Sequence, residues 1–218
     1  GFLIAGMKRM FQKAGNNENL KMNIKQNQLV GVELRSSMYT YACSNMMLRG
    51  DGRSNIYCGD CYQTKEAILG HRPTVAFLNP PYDFGTADQL QFIGHALDVV
   101  APQNGRVVAI VQMSCAIKDE KELKAVKKQL LSEHHLKAVL SMPDDLFYPV
   151  GVVTCVMVWE ANKPNAGRKT WFGYFKEDGF EKRKHQGRID ARGKYKSSIR
   201  DKWVSAYQNG DEIAGLSV

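Results

Sequence analysis

The sequence predicts an α/β fold: a mostly parallel sheet covered by helices on both faces, with its last strands forming an antiparallel hairpin. Three observations carry this. Short apolar runs alternate with longer amphipathic stretches from residue 1 to about 140, the order that makes parallel strands joined by crossover helices. The apolar runs at 136–141 and 152–159 follow one another with no helical stretch between them, so the second runs back antiparallel to the first. Three earlier runs end in Glu33, Asp60 and Asn79, polar groups at the rim where open parallel sheets hold their ligands.

The elements follow in chain order. Phe2, Leu3, Met7, Met10 and Phe11 recur at helical spacing, which predicts a helix over 2–15. Its charges come after the apolar run, the reverse of a signal peptide. Residues 16–28, rich in Asn, Gln and Lys, read as a polar loop. Gln28–Glu33 is a buried strand and Met38–Leu48 a helix that Gly50-Asp51-Gly52 ends. Asn55–Cys58 and Val75–Leu78 are short strands. Over Thr86–Val100 the apolar residues Leu90, Ile93, Ala96, Leu97 and Val100 share one helical face. A turn at Pro102–Gly105 leads into the apolar strand Arg106–Val111. Lys121–Ser132 is a charged amphipathic helix, Leu136–Ser141 and Val152–Trp159 are strands, and Trp171–Phe175 is an edge strand. The chain divides into a core, residues 1–162, and a basic extension, residues 163–218, expected to be partly disordered.

The formal net charge of the 218 residues is +8, which favours an anionic partner, nucleic acid first. No run approaches ~18 consecutive apolar residues, so no membrane span is expected. The five cysteines are odd in number and scattered, as in a cytoplasmic protein with reduced thiols. Cys58 and Cys61 have C-x-x-C spacing without a second pair nearby, and no metal site is expected.

Asn79-Pro80-Pro81-Tyr82 carries the clearest chemistry. Proline donates no hydrogen bond and fixes its own φ, and it keeps the residue before it out of the helical region. Asn-Pro-Pro is therefore a stiff lip whose oxygens have no local donor. It suits a ligand that brings N–H groups, and the Tyr82 ring beside it suits a flat nucleobase. Glu33 either stands where a carboxylate commonly binds ribose hydroxyls or is an exposed acid capping a strand end. Asp60 either accepts from an adenine amino group or shapes a turn with Gly59.

The series LVGVELRSSMYTYACSNMMLRGDGRSNIYCGDCY, AFLNPPY, FIGHALDVVAPQNGRVVAIV and DDLFYPVGVVTCVMVWE resembles the adenine-N6 DNA methyltransferases, most of all the modification (M) subunits of type I restriction-modification systems. The resemblance spans residues 1 to about 160. It implies a Rossmann-like, S-adenosylmethionine-dependent sheet of seven strands. It also implies that Glu33 holds the cofactor ribose, that Asp60 with Cys61 lies at the cofactor adenine, and that Gly1 and Phe2 close the cofactor loop. Asn79 and Pro80 match the acceptors of the target amine, with Pro81 stiffening them, and Tyr82 the base-stacking ring. Phe147 matches the ring on the other face of the flipped base, with Tyr148 as second choice.

By this resemblance the substrate is DNA, and the partners are a specificity subunit and an endonuclease subunit. The family's first motif ends in Gly-Phe-Leu, where this chain begins, so the sheet is expected to lack its first central strand and the isolated chain to bind cofactor weakly. Asn-Pro-Pro-Tyr also occurs in methyltransferases of protein glutamine, and related motifs in those of RNA; these remain alternatives, as does a non-catalytic binding piece.

Overall fold

The computed structural model describes residues 1–50 and 55–218; of the Gly50–Gly52 helix stop, Asp51 and Gly52 lie outside the described residues. The chain divides into two compact units, Gly1–Thr74 and Val75–Val218.

The first unit begins with α1 (Phe2–Ala14). Met7 and Ala14 on its apolar face are buried in a cluster with Ile24, Leu29, Met46 and Ile56. The polar segment that follows is helical, contrary to the loop its composition suggests. Asn17 caps α2 (Glu18–Asn23), its side-chain oxygen accepting from the Leu20 N–H at 2.9 Å, and a π-helical turn continues over Ile24–Gln28. One cap and one buried residue, Ile24, at 2% exposure, order a stretch whose remaining side chains are mostly exposed. Strand β1 (Val30–Glu33) pairs in parallel with β2 (Asn55–Cys58). Helix α3 (Ser36–Met47) connects to the chain before β2, and α4 (Lys65–Leu69) follows it. A Cβ on Gly31 would lie 3.0 Å from Leu3 Cδ1, so this glycine lets the start of α1 lie directly on β1.

The second unit holds a five-stranded sheet in the order β3 (Val75–Leu78), β4 (Arg106–Gln112), β6 (Thr154–Glu160), β5 (His135–Ser141), β7 (Trp171–Tyr174). β3 and β4 are parallel, as are β5 and β7. β6 runs antiparallel to both of its neighbours, paired with β4 from Arg106↔Glu160 to Gln112↔Thr154. The expected hairpin is therefore present, but its second strand inserts between β4 and β5. Helix α5 (Thr86–Val100) packs Leu90, Ile93, Leu97 and Val100 against Val107, Ala109 and Val111 of β4 and Met157 and Trp159 of β6. Cys115 of α6 (Met113–Ile117) and Leu123 and Leu130 of α7 (Lys121–Glu133) complete this core. Each such side chain contributes about 1.5–3 kcal/mol, which makes this core the main source of stability around β3 and β4.

The basic extension is folded, where partial disorder was expected. β7 ends the sheet as the edge strand foreseen, and residues Leu216–Val218 return to bond its outer side, Phe172 N–H to Val218 O at 2.7 Å and Tyr174 N–H to Leu216 O at 2.7 Å. A short hairpin, β8 (Glu181–Arg183) with β9 (Gly187–Ile189), precedes α8 (Arg200–Asn209). Trp203 of α8 stacks on Phe175, with ring centroids 4.5 Å apart. Aromatic packing thus fixes a segment with few aliphatic residues.

Candidate active site

In the second unit, β3 ends at Leu78 and the chain enters the Asn-Pro-Pro-Tyr lip. Asn79 and Pro81 are exposed, Pro80 is buried and Tyr82 is half-buried. Among the described residues no hydrogen bond occupies the Asn79 side chain or the Pro80 carbonyl. The lip offers acceptors to a ligand, as two consecutive prolines dictate.

A residue that sequence reasoning passed over supports the lip from behind. Gln89, on the inward face of α5, is fully buried. Its amide nitrogen donates to Gln112 Oε1 at 2.9 Å and to the Phe84 carbonyl at 3.3 Å. Its oxygen accepts from the Gln112 N–H at 3.1 Å and from the Cys115 thiol at 3.5 Å. This network ties the turn after Tyr82 to the end of β4. The signal in the sequence was a glutamine four residues before Ile93 on an otherwise apolar helical face; buried polar groups are kept only when paired. Asp88 holds the entry of the same helix, accepting from the Gly85 N–H at 3.1 Å.

The structure brings Tyr82 and Phe147 together. Their ring centroids are 5.6 Å apart and their planes meet at 87°. Phe147 sits on the loop between β5 and β6, and its neighbour Tyr148 is 52% exposed. The Tyr82 hydroxyl is buried without a hydrogen-bond partner. Burial pushes its pKa up to about 12, with Cys155 and Cys115 adding to the effect, so the phenol is neutral and the ring is held by packing. A base between two parallel rings needs roughly 7 Å, twice a van der Waals contact. The edge-on contact of Tyr82 and Phe147 leaves no parallel slot of that width between them.

In the first unit, parallel pairing brings Glu33 level with Cys58, and the Gly59 N–H donates to the Glu33 carbonyl at 3.0 Å. Glu33 and Asp60 thus share the carboxyl ends of β1 and β2. Each has one oxygen engaged locally, Glu33 by the Arg35 N–H at 3.0 Å and Asp60 by the Tyr62 N–H at 2.8 Å. The turn-shaping reading of Asp60 is therefore realised, and both side chains remain partly exposed. Cys61 is half-buried; burial, and then the Asp60 carboxylate, pushes its thiol up. Gly1 caps α1, its carbonyl accepting from the Ala5 N–H at 3.1 Å, and Phe2 is 41% exposed.

Set beside known proteins, residues 85–214 match the N-6 DNA Methylase family, a range that takes in most of the basic extension. The chain is 36% identical over 196 residues to the type II restriction enzyme and methyltransferase RM.BcgI of Heyndrickxia coagulans, covering 86% of this chain and 30% of that protein. Its fold is similar to that of a type I restriction-modification methyltransferase subunit from Streptococcus thermophilus, with a TM-score of 0.68 at 19% identity over 86% of this chain and 43% of that one. It is likewise similar to the type I restriction enzyme EcoKI M protein, with a TM-score of 0.65 at 20% identity over 79% of this chain and 41% of that one. The chain spans less than half the length of each of these relatives.

Proposed function

The chain belongs to the N-6 DNA methylase family, and from that premise we propose that it forms the catalytic part of a DNA methyltransferase. The reaction is transfer of a methyl group from S-adenosylmethionine to N6 of a flipped adenine, within a restriction-modification system. The observation that supports this reading best is the exposed Asn79 at the end of β3. Its acceptors are unclaimed, and the Tyr82–Phe147 pair adjoins the same lip.

The N6 lone pair of adenine is delocalised into the ring, so the amine is a weak nucleophile. Asn79 Oδ1 and the Pro80 carbonyl would each accept one of its two hydrogens, which favours a more tetrahedral nitrogen and localises the lone pair. Pro80 and Pro81 hold these oxygens in place beforehand, so no reorganisation is needed at the moment of reaction. Tyr82 and Phe147 would stack on the extruded base and offset the few kcal/mol that flipping costs. S-adenosylmethionine, when bound, supplies a methyl group already activated by its sulfonium. The first unit fits that cofactor: Glu33 and Asp60 present carboxylates at adjacent strand ends, acceptors matched to ribose hydroxyls and to an adenine amine. Gly1, Phe2 and Cys61 would complete that cradle.

We assign the chemistry to residues 1–162 and treat residues 163–218 as a basic extension of that core. A specificity subunit would choose the DNA sequence, and an endonuclease subunit is the further partner expected of such a system. No helix of the described residues is long and apolar enough to cross a membrane, and all five cysteines are free; both accord with a cytoplasmic protein. The test is to incubate the full-length protein with duplex DNA and methyl-labelled S-adenosylmethionine, then digest the DNA to nucleosides. N6-methyldeoxyadenosine is the expected product. Label recovered on protein or RNA, with none in DNA, would overturn the proposal.

A further inference from the structure

The loop that carries Phe147, between Ser141 and Thr154, has no regular structure, yet its acids are gripped by residues some 30 to 45 positions later. Lys176 pairs with Asp144. Lys182 pairs with Asp145 at 3.2 Å, and its ammonium lies 5.3 Å from the centre of the Tyr148 ring. Arg188 is the hub. Its Nη2 bonds both oxygens of Asp178, at 2.9 and 3.0 Å, and its guanidinium lies over Phe180 at 5.3 Å. Its Nε stands 2.9 Å from Asp145 Oδ1, an approach off the N–H direction that makes this contact an ion pair and not a hydrogen bond.

Exposure separates these contacts. The Lys182 and Asp144 side chains are 53% and 68% exposed, and pairs of that kind contribute little. Arg188 and Asp178 are 10% and 8% exposed, so neither can lose its partner without leaving a charge stranded away from water. A guanidinium turned on two carboxylates of its own chain also has its charge already answered, which argues against a phosphate contact for this residue. Lysine would keep the charge but lacks the planar fork that reaches both acids.

We infer that Arg188 is a positioning residue: seated on Asp178, it holds Asp145 and thereby sets where the Phe147 loop stands. On this view the basic extension serves the chemistry by bracing one wall of the base pocket. The inference rests on the reading of Phe147 as a base-stacking ring.

Two measurements on the full-length protein test it. The first is amide hydrogen exchange in wild type, Arg188→Gln, Arg188→Lys and Asp145→Asn. Exchange across residues 143–151 should rise about tenfold in all three variants while α5 and β4 stay protected. Asp145→Asn leaves the buried Arg188–Asp178 bond in place, so it carries the test if the Arg188 variants fold poorly. Unchanged exchange in 143–151, or an equal rise throughout α5 and β4, would overturn the inference. The second is a cycle of kcat/KM for DNA methylation with Arg188→Gln, Phe147→Ala and the double variant. Arg188→Gln should cost about tenfold alone and under about twofold on the Phe147→Ala background, with KM for S-adenosylmethionine unchanged. Additive losses would overturn the positioning role. Full activity in Phe147→Ala would instead sink the base-stacking reading, and the exchange data would still decide whether the brace exists.

Discussion

Replacing Glu160 with Gln should lower stability without touching the chemistry. Glu160 is 8% exposed at the end of β6, level with Arg106 and His135, the end of the sheet opposite the Asn79 lip. Arg106 Nη2 lies 2.9 Å, Lys163 3.0 Å and Lys137 3.5 Å from its carboxylate. Burial pushes the carboxyl up, but the Lys163 hydrogen bond and the charges of Lys137, Lys163 and Arg106 outweigh it and hold it at about 2, against an ordinary 4.5. At 1.36 kcal/mol per unit this is about 3 kcal/mol. The three cations are 54%, 44% and 38% exposed, and screening brings the expected figure to about 2 kcal/mol. A folded pKa below the unfolded one gives stability that is complete above 4.5 and fades as the pH falls toward 2. Glu160→Gln should therefore melt about 4–8 °C below wild type at neutral pH, and the gap should close in acid. Thermal unfolding between pH 2 and 7 measures it, with methylation at 25 °C as control. A gap that persists at pH 2, or a variant that is stable but inactive, would refute the reasoning.

Other substitutions probe the lip. Tyr82→Phe removes a buried hydroxyl that bonds nothing; stability in urea should hold or rise by about 1 kcal/mol, and activity should stay near wild type. A large loss of methyl transfer would show that the hydroxyl takes part in chemistry. Gln89→Leu strands the Gln112 side chain and the Phe84 carbonyl, which should cost about 1–3 kcal/mol in a urea titration; an unchanged midpoint would contradict the network. Burial pushes Cys115 up to about 11 and Cys155 up to about 12, while Cys58 is exposed. An alkylating reagent at pH 8, followed by peptide mass mapping, should label Cys58 first. Equal labelling of Cys155 in the native protein would count against that burial.

Much of the architecture was legible because it is local. Helix Thr86–Val100 begins and ends where its apolar face does, and the runs at 106–111 and 136–141 are strands because little but strand pairing accommodates them. The insertion of β6 between β4 and β5 was not legible, since pairing partners are chosen across tens of residues and any of these apolar strands would bury equally well beside another. Helix Glu18–Asn23 was hidden because its order comes from one Asn cap and one buried Ile24 in an otherwise polar stretch. The rim residues Glu33, Asp60 and Asn79 were readable from their places after apolar runs. The partners of the basic extension were not: as sequence, Lys182 and Arg188 read equally as phosphate or subunit contacts or as a solvated cationic run, until folding sets Asp145 and Asp178 beside them. Gln89 announced itself only as a polar residue on the wrong face of a helix.

The central claim is that the Asn79 side-chain oxygen grips the amine being methylated. Single-turnover transfer of a labelled methyl group to adenine in duplex DNA, by full-length wild type and Asn79→Ala, tests it most directly. Loss of one preorganised acceptor should slow the chemical step about 100- to 1000-fold, with DNA affinity and cofactor affinity retained. A rate within a few-fold of wild type would contradict the account.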